Sequence, residues 1–495
     1  MNYGLNILSI IIWTPLVGAG LLFFVPPVKV RLAKLVALLI TLATFISSVN
    51  LLSFFNAREA KLQFVEEISW LAQFDINYVI GVDGISLLLV LLTTLLTFLL
   101  VLSVKIDTSN IRAYLGSILL LETSILGAFL ALDAIIFYMF WELMLIPVYF
   151  MIGIWGTENQ GKSAFKFVIY TAVGSLLMLV AIIYLGYQFQ QQFGTYSFLF
   201  ADWMKLQLSF QQEVMLFLAF ALAFAIKIPI FPFHTWLPNA YTSAPTAGTI
   251  ILAGVMSKLG LYGLIRFCLP IFPQATIYFA SLFMLLGLVS IIYGALMAWV
   301  QTDLKRLIAY SSISHLGFCV LGYAALNLEG MKGCILQMVN HGLIIAGLFL
   351  LVEILAAQTK SRLILDSAGL AVKLPVFATV LFIFVLGAIG FPLTNGFVGE
   401  FLVMFGTFKR NYLFGGLAVL GVILGALYML SWYRRVMFGK FSTANNSELA
   451  DLNANELLVL LPLLMLILII GIHPQPLFNL SEATVRMYVE SFIKK

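Results

Sequence analysis

Charge is scarce in this chain: Lys, Arg, Asp and Glu together make up only 10% of the 495 residues, whereas 62% are hydrophobic. The mean hydropathy is +1.06. The only wet segments are short, near 56–81, 188–211 and 436–454, so none is polar enough to form a soluble catalytic domain. This composition is typical of a membrane protein and excludes an ordinary soluble enzyme.

Cysteine is also scarce, and nucleotide-binding motifs are lacking. The three cysteines, Cys268, Cys319 and Cys334, are scattered through apolar segments and form no CxxC pair. Iron–sulfur and structural zinc ligation are therefore not expected. No GxGxxG or GxxxxGK[ST] pattern stands between a strand and a helix. We expect the chain itself to hold no cofactor, no metal and no redox centre. Since its basic residues form no cluster, we also expect it to bind no nucleic acid.

Long apolar runs are what the chain has instead. A helix needs about 20 apolar residues to span a bilayer. The sequence therefore predicts an all-α polytopic membrane protein with about 14 transmembrane helices. The apolar stretches lie near 4–24, 33–55, 82–104, 112–131, 134–156, 164–188, 212–235, 245–268, 275–299, 305–327, 332–356, 374–409, 412–434 and 455–473.

The predicted loops carry their positive charge asymmetrically. With the loops numbered in order, the odd loops hold 15 of the 27 Lys and Arg residues; the even loops and the tail hold ten, and two lie inside spans. Cytoplasmic loops carry the excess of positive charge. The sequence therefore predicts odd loops in the cytoplasm and both termini on the other side, which is the periplasm in a bacterium.

Two of the predicted spans are interrupted. Pro229 and Pro232 lie in the seventh span, and Gly387, Gly390 and Pro392 lie in the twelfth. Each proline lacks an N–H and frees the carbonyl four residues before it. Interrupted helices at corresponding places in two halves are typical of inverted-repeat transporters. The alternative is that the prolines only kink two ordinary helices.

This pairing predicts two inverted five-helix repeats, each with a discontinuous helix. The first repeat would comprise helices 4–8 in residues 112–268, and the second would comprise helices 9–13 in residues 269–435. Three peripheral helices would precede them in residues 1–111, and a loop with helix 14 would follow in residues 436–495.

Ionisable side chains stand inside these apolar stretches, where each charge near mid-membrane costs about 2.5–3.5 kcal/mol. Intramembrane ionisable residues usually mark a path for charge, and a structural ion pair is the alternative. Glu142 and Lys227 predict a switch, in which the lysine keeps its proton when paired and releases it when unpaired. The five residues are Glu122, Glu142, Lys227, Lys258 and Glu400.

The histidines extend this line. His315 and His341 lie in neighbouring spans beside serine and asparagine, and histidine relays protons near physiological pH. Hydrogen-bonded core histidines are the alternative. His234, just past the first break, and Glu122 are supporting candidates, although His234 could instead cap a half-helix and Lys258 could snorkel to an interface. Glu142, Lys227, Lys258 and Glu400 would then carry proton translocation, with the two histidines as the relay.

Five sequence motifs resemble the antiporter-like subunits of respiratory complex I, and the resemblance covers nearly the whole chain. The matching segments are 81–86 (GVDGIS), 140–147 (FWELMLIP), 233–241 (FHTWLPNAY), 244–246 (APT) and 254–260 (GVMSKLG). The key acid and lysines of that family match Glu142, Lys227 and Lys258. Sibling subunits usually carry lysine in the helix where this chain has Glu400. The chain also has Asn239 and Tyr241 where the family often has Asp and His.

The resemblance implies a non-redox, multi-pass subunit of an NADH:quinone oxidoreductase in a bacterial inner membrane. Protons would move from cytoplasm to periplasm, driven by quinone reduction in other subunits that use NADH, FMN and iron–sulfur clusters. Antiporter-like neighbours on both sides would be its partners. The first alternative is a subunit of a multisubunit cation/proton antiporter or a membrane-bound hydrogenase. The second is a purely structural membrane scaffold.

Overall fold

Helices account for almost all of the folded chain in a computed structural model, which describes residues 6–439, 442–443 and 449–493. Within that part of the chain, 13 helices are long and apolar enough to cross a membrane. Two shorter helices on either side of residues 389–394 occupy the place of the predicted twelfth span. The prediction of an all-α polytopic membrane protein is therefore confirmed.

In the first half of the chain, helices are accompanied by an antiparallel β-hairpin, in which Glu66 pairs with Ile80. The elements in chain order are α1 (Ile7–Phe24), α2 (Val30–Phe54), β1 (Gln63–Leu71), β2 (Ile76–Val82), α3 (Gly84–Ser103), α4 (Ile111–Leu130), α5 (Ala134–Leu143), α6 (Leu145–Trp155), α7 (Gln160–Phe193), α8 (Phe200–Trp203) and α9 (Phe210–Lys227).

The second half contains two π-helical turns, Leu252–Met256 and Leu264–Cys268. The remaining elements are α10 (Leu237–Ser243), α11 (Thr246–Ile251), α12 (Ser257–Gly263), α13 (Leu269–Ile271), α14 (Pro273–Trp299), α15 (Leu304–Ala324), α16 (Leu328–Thr359), β3 (Ser367–Ala368), α17 (Pro375–Ala388), α18 (Asn395–Arg410), α19 (Tyr412–Met437), β4 (Ser442–Thr443), α20 (Ala454–Ile472) and α21 (Gln475–Ile493).

Both predicted interruptions are present. Helix α9 ends at Lys227, and α10 does not begin until Leu237. Helix α17 ends at Ala388, and α18 begins at Asn395 after two residues with left-handed backbone, Gly390 (φ +65°) and Leu393 (φ +74°). The prolines and glycines therefore break these helices completely, which confirms the breaks and rules out a simple kink.

The chain divides into two compact units, and the first contains residues 1–228, 255–279 and 479–495. Its helices pack around α4, which contacts α1, α2, α3, α5 and α6. Helix α3 begins at Asp83, whose side chain accepts hydrogen bonds from the N–H groups of Ile85 and Ser86. Such N-capping satisfies donors that would otherwise be unpaired at the helix end. The β-hairpin therefore leads directly into α3, and the Asp83 cap fixes where that helix begins.

The second unit contains residues 229–254 and 280–478. Helices α15 and α16 form its core, since their apolar stretches are buried throughout. Helix α18 packs against α16 at Gly399, where an added Cβ would lie 2.4 Å from Oε1 of Gln337. The lack of a side chain at Gly399 allows α18 to pack closely against α16.

The structure corrects the loop assignment of Arg266. Although it stands near the end of the predicted stretch 245–268, it was counted among the ten charges of the even loops and the tail; it lies on the second π-helical turn and is 2% exposed. The amphipathic helix α21 was not predicted, although its buried residues Ser481, Thr484, Val485 and Tyr488 recur at helical spacing. The inverted repeats, their boundaries and the membrane orientation stay predictions. Lys440, Lys494 and Lys495, which entered the charge count, lie outside the described residues.

Asp133 is a buried carboxyl between α4 and α5. It accepts hydrogen bonds from the N–H groups of Ile135 (2.8 Å) and Ile136 (3.1 Å). Burial nevertheless raises its pKa from 3.8 to about 6. Because the folded-state pKa lies above the unfolded value, the ionised carboxyl destabilises the fold above about pH 6. Stability is therefore gained as the pH falls from 6 toward 4.

We predict that Asp133→Asn keeps the capping oxygen, removes the buried charge and flattens this pH dependence. At pH 8 the variant should be more stable than the parent by about 1–2 kcal/mol, and the difference should vanish near pH 4. The unfolding midpoint in detergent, measured from pH 4 to pH 8, checks this. Asp133→Ala is the control, because it also loses the cap and should be less stable than Asn by about 1 kcal/mol at every pH. An unchanged pH slope in Asp133→Asn would contradict the assignment.

Candidate functional site

Glu142 lies at a kink in its span. Helix α5 ends at Leu143 and α6 begins at Leu145, with Met144 between them. The cause is Pro147, which lacks the N–H that the Leu143 carbonyl would accept in a regular helix. Glu142 is half-buried, and its carboxylate is hydrogen-bonded to Tyr138. Its Oε1 atom has no hydrogen-bond partner in the protein. The carboxylate therefore has acceptor capacity left over beside a loosened stretch of helix.

Lys227 is the last residue of α9 and is 0% exposed. Its ammonium lies 4.4 Å from the centre of the Trp141 ring. The Glu142 carboxylate is near enough to act on it electrostatically, but Nζ has no hydrogen-bond partner. A desolvated cation over a tryptophan face is stabilised by about 2 kcal/mol or more. Glu142 and Lys227, which were predicted to be partners, are thus neighbours, and the Trp141 ring lies next to the ammonium group of Lys227.

Trp141 is a site residue that the sequence analysis missed. It directly precedes Glu142 in the motif that carried the family resemblance, so the signal was present. Its ring is 5.5 Å from that of Phe224, one turn before Lys227 on α9. Trp141 therefore links the helix that carries the acid to the helix that carries the lysine.

Lys258 lies on α12, between the two π-helical turns, and is 0% exposed. Its Nζ donates a hydrogen bond to Oγ of Ser257 at 3.3 Å. Helix α12 approaches α9 closely, because a Cβ at Gly260 would lie 2.6 Å from the carbonyl oxygen of Phe224. Single π-helical turns occur frequently at functional sites. The second predicted lysine is therefore held on a helix packed directly against that of Lys227.

Glu122 is the most isolated of the predicted acids. It lies on α4 with 0% exposure, and neither carboxylate oxygen has a hydrogen-bond partner. Helix α4 packs against α5, α6 and α12. The first unit thus brings Glu122, Glu142, Lys227 and Lys258 onto packed neighbouring helices, although they are far apart in sequence.

The second unit gathers its own group around Glu400. This carboxylate, on α18, is 3% exposed. Its Oε1 atom lies 2.9 Å from Nδ1 of His315 on α15, and it accepts a hydrogen bond from Nε2 of Gln337 on α16 at 3.1 Å. Three helices therefore converge on one carboxylate. Gln337 was not predicted, because a glutamine in an apolar helix carries no sequence signal of its partner.

His341 lies beside this group, with its ring centre 5.8 Å from that of His315. A small cavity, large enough for about one water molecule, is lined by Ser311, His315, Gln337 and His341. The two predicted relay residues are thus brought together. His234 lies elsewhere in the same unit, with its ring 4.8 Å from Tyr293.

A hydrogen bond joins the start of α18, just after the second helix break, to α16. Nδ2 of Asn340 on α16 donates to the carbonyl oxygen of Asn395, the first residue of α18, at 2.6 Å. The start of α18 is thereby fixed against α16. Gly390 lies in the break, where an added Cβ would be 2.8 Å from Oε2 of Glu400. The break therefore places backbone, not a side chain, against the Glu400 carboxylate.

No metal site accompanies these groups among the described residues, where no cluster of three or more His, Cys, Asp or Glu side chains could hold an ion. All three cysteines are buried thiols. The ionisable side chains described above are carboxylates, amines and imidazoles, which can exchange protons.

Comparison with known proteins identifies the family. The family described as NADH:quinone oxidoreductase/Mrp antiporter, transmembrane, matches residues 131–427, which include every candidate residue except Glu122. The chain belongs to this antiporter family.

Relatives match this antiporter-family chain over its whole length. NADH-ubiquinone oxidoreductase chain 4 of Marchantia polymorpha is 39% identical and covers 98% of this chain and 97% of its own. NADH-quinone oxidoreductase subunit M of Rickettsia prowazekii (strain Madrid E) is 38% identical and covers 99% of both. A chain of respiratory complex I from Thermus thermophilus with bound NADH has the same fold, with a TM-score of 0.87 and 30% identity over 98% of this chain and 99% of that one.

The family prediction made from the motifs is therefore confirmed. The roles assigned to individual residues stay predictions.

We predict that Gly390→Ala destabilises the antiporter-family chain by about 1–3 kcal/mol. The new Cβ would sit in a left-handed backbone and collide with Oε2 of Glu400. Gly416→Ala on α19 is the matched control. It meets nothing within 4 Å, and alanine stabilises a helix interior by about 0.5–1 kcal/mol. Unfolding midpoints in detergent measure both effects. Equal midpoints for the two variants would contradict the proposed geometry at Glu400.

Proposed function

We propose that this chain is the subunit M-type, proton-translocating membrane subunit of a bacterial NADH:quinone oxidoreductase. Protons would pass from the cytoplasm to the periplasm through Glu142, Lys227 and Lys258 in the first unit and through His315, His341 and Glu400 in the second. Glu122 and His234 would support the path. The full-length likeness to complex I subunits supports the complex, and the site geometry supports the residues.

The observation that carries the proposal is the buried, incompletely paired charge of Lys227. Lys227 is the last residue before the first helix break, and its ammonium lies over the Trp141 ring. The Glu142 carboxylate acts on it electrostatically but forms no hydrogen bond with it. A static ion pair in a dry interior needs close geometry and further hydrogen bonds to repay desolvation. A pair held just apart instead responds to small movements, which can load and release a proton.

The second unit supports the relay. His315 contacts Glu400 directly, and the cavity joins His315 to His341. A water molecule there would have several polar neighbours, as a buried water requires. Imidazole can accept a proton at one nitrogen and donate one from the other. The cavity therefore has room for a water molecule beside both imidazoles, through which a proton could pass without large backbone movement.

The driving energy must come from partner subunits. Moving one elementary charge against 100 mV costs about 2.3 kcal/mol. We propose that quinone reduction by other subunits, which hold NADH, FMN and iron–sulfur clusters, supplies this energy. The chain would act as an enzyme only as part of that complex, between antiporter-like neighbours in the inner membrane.

The first test is Glu142→Gln in membranes that contain the complex. Because glutamine has the same shape but cannot bind a proton, quinone reduction and proton pumping should both fall by about 10-fold or more, as is typical when a proton-transfer group is lost. A native gel should show normal assembly. NADH-driven quinone reduction and a pH-sensitive dye report the two activities.

Glu67→Gln is the matched control, because Glu67 is an exposed carboxylate on β1, outside the spans. It should leave both activities unchanged. If Glu142→Gln assembles and keeps both activities, the buried charges are structural and the proposed mechanism is wrong.

The alternative function is cation/proton exchange within a multisubunit antiporter, which the family description also covers. For the complex I subunit, we predict that NADH-driven acidification of inverted vesicles persists when Na⁺ is replaced by choline. Binding of Na⁺ would need a cluster of oxygen ligands. The assay compares the initial rates of acidification in the two salts. Loss of pumping without Na⁺, or a preparation that lacks NADH-oxidising subunits, would favour the antiporter.

A further inference from the structure

A second buried charge pair lies in the first unit, and the proton path does not use it. Nη1 of Arg266 lies 2.8 Å from Oδ2 of Asp83, and both side chains are almost fully buried. Asp83 caps the start of α3, whereas Arg266 lies on the π-helical turn that follows α12. The pair therefore ties two distant segments of the chain together.

Two tyrosines complete the group. Arg266 donates from Nε to the hydroxyl of Tyr262 (3.0 Å) and from Nη1 to the hydroxyl of Tyr488 (2.8 Å). The Tyr262 hydroxyl in turn donates to the carbonyl oxygen of Phe129 on α4 at 2.8 Å. The guanidinium thus links α3, α4 and α21 to its own helix.

Tyr488 belongs to the C-terminal helix α21, which is seated tightly. An added Cβ at Gly84 would lie 1.9 Å from the carbonyl oxygen of Leu480. The N–H of Gly84 also donates to the hydroxyl of Thr484 at 3.3 Å. The close approach of the α21 backbone to Gly84, together with this hydrogen bond, fixes the register of α21 against the start of α3. The Tyr488 hydroxyl is therefore delivered to Arg266 by the packing of α21.

Lys258 lies on the same helical segment as Tyr262 and Arg266. Tyr262 follows it by four residues, about one helical turn, so the two side chains share a face. Arg266 follows by eight residues, about 12 Å along the axis. The π-helical turn that carries Arg266 alters the helical phase, and such a turn is stable only where the surroundings hold it.

We propose that Asp83, Arg266 and Tyr488 form a lock that positions the Lys258 segment for proton transfer, so that the C-terminal helix is a positioning element of the proton site. This inference rests on the proposed function. Nη2 of Arg266 has no hydrogen-bond partner in the protein. A buried ion pair that only stabilised the fold would do no better than apolar residues of similar volume. The direct contact with Asp83 and the two tyrosine hydrogen bonds hold the guanidinium from several segments, which fits a device that fixes position.

The test uses the intact complex with Tyr488→Phe, which removes one hydroxyl, and Asp83→Asn, which removes the partner charge. For each variant we would measure assembly, NADH-driven proton pumping, and amide hydrogen exchange in the peptides that cover residues 257–268. We expect Tyr488→Phe to assemble normally, to lower the pumping rate by about fivefold, and to speed exchange in those peptides. Asp83→Asn should show larger effects of the same kind, and Asp83→Glu should restore pumping because it keeps the charge.

Tyr433→Phe is the control, because it removes another buried, hydrogen-bonded tyrosine hydroxyl, one that donates to the carbonyl oxygen of Ala378 in the second unit. It should change neither pumping nor exchange in residues 257–268. If Asp83→Asn fails to assemble, Tyr488→Phe decides the outcome. Unchanged exchange in residues 257–268 of Tyr488→Phe, or unchanged pumping with faster exchange, would overturn the lock.

The failure of the lock and the failure of the proposed function give different results. If Glu142→Gln and Lys258→Met pump normally, the proton path is wrong, and the exchange measurement still reports on the lock. If those two variants lose pumping while Tyr488→Phe behaves like Tyr433→Phe, only the lock is wrong.

Discussion

Desolvation of charge is the constraint on which this structure depends. In a dry interior an isolated charge costs several kcal/mol, and a broken helix exposes carbonyls that nothing outside the protein can satisfy. Three of the buried ionisable groups lie where the backbone departs from a regular helix. Lys227 ends α9, Lys258 lies between two π-helical turns, and Glu400 follows the break after α17.

The buried charges differ in how closely they are paired. Arg266 and Asp83 are in direct contact, and Glu400 has two hydrogen-bonding neighbours. Lys227, by contrast, has only an aromatic face and a carboxylate that it does not touch. A tight pair fixes geometry, whereas a loose pair leaves the protonation state open to change. The molecule thus contains both kinds of charge.

Glycine decides how closely the helices that bear these charges approach. At Gly260 and Gly399 a single Cβ would meet a neighbouring segment at 2.6 Å and 2.4 Å. Small residues at helix contacts are the usual way for membrane helices to pack closely, because lipid offers no hydrophobic driving force between them. Close packing in turn lets short side-chain contacts form, such as those between Glu400 and the side chains of α15 and α16.

The sequence by itself determined the membrane class, the apolar spans, both helix breaks and the ionisable residues, because composition and proline chemistry act locally. It misplaced Arg266 and missed α21, since a charge near a span end and an amphipathic tail both look like loop. Only the tertiary structure decided the partners: Trp141 for Lys227, Asp83 for Arg266, and His315 and Gln337 for Glu400, which are 85 and 63 residues away from it. Such pairs depend on which helix faces meet, and that is set by packing among many helices at once, which no single stretch of sequence encodes.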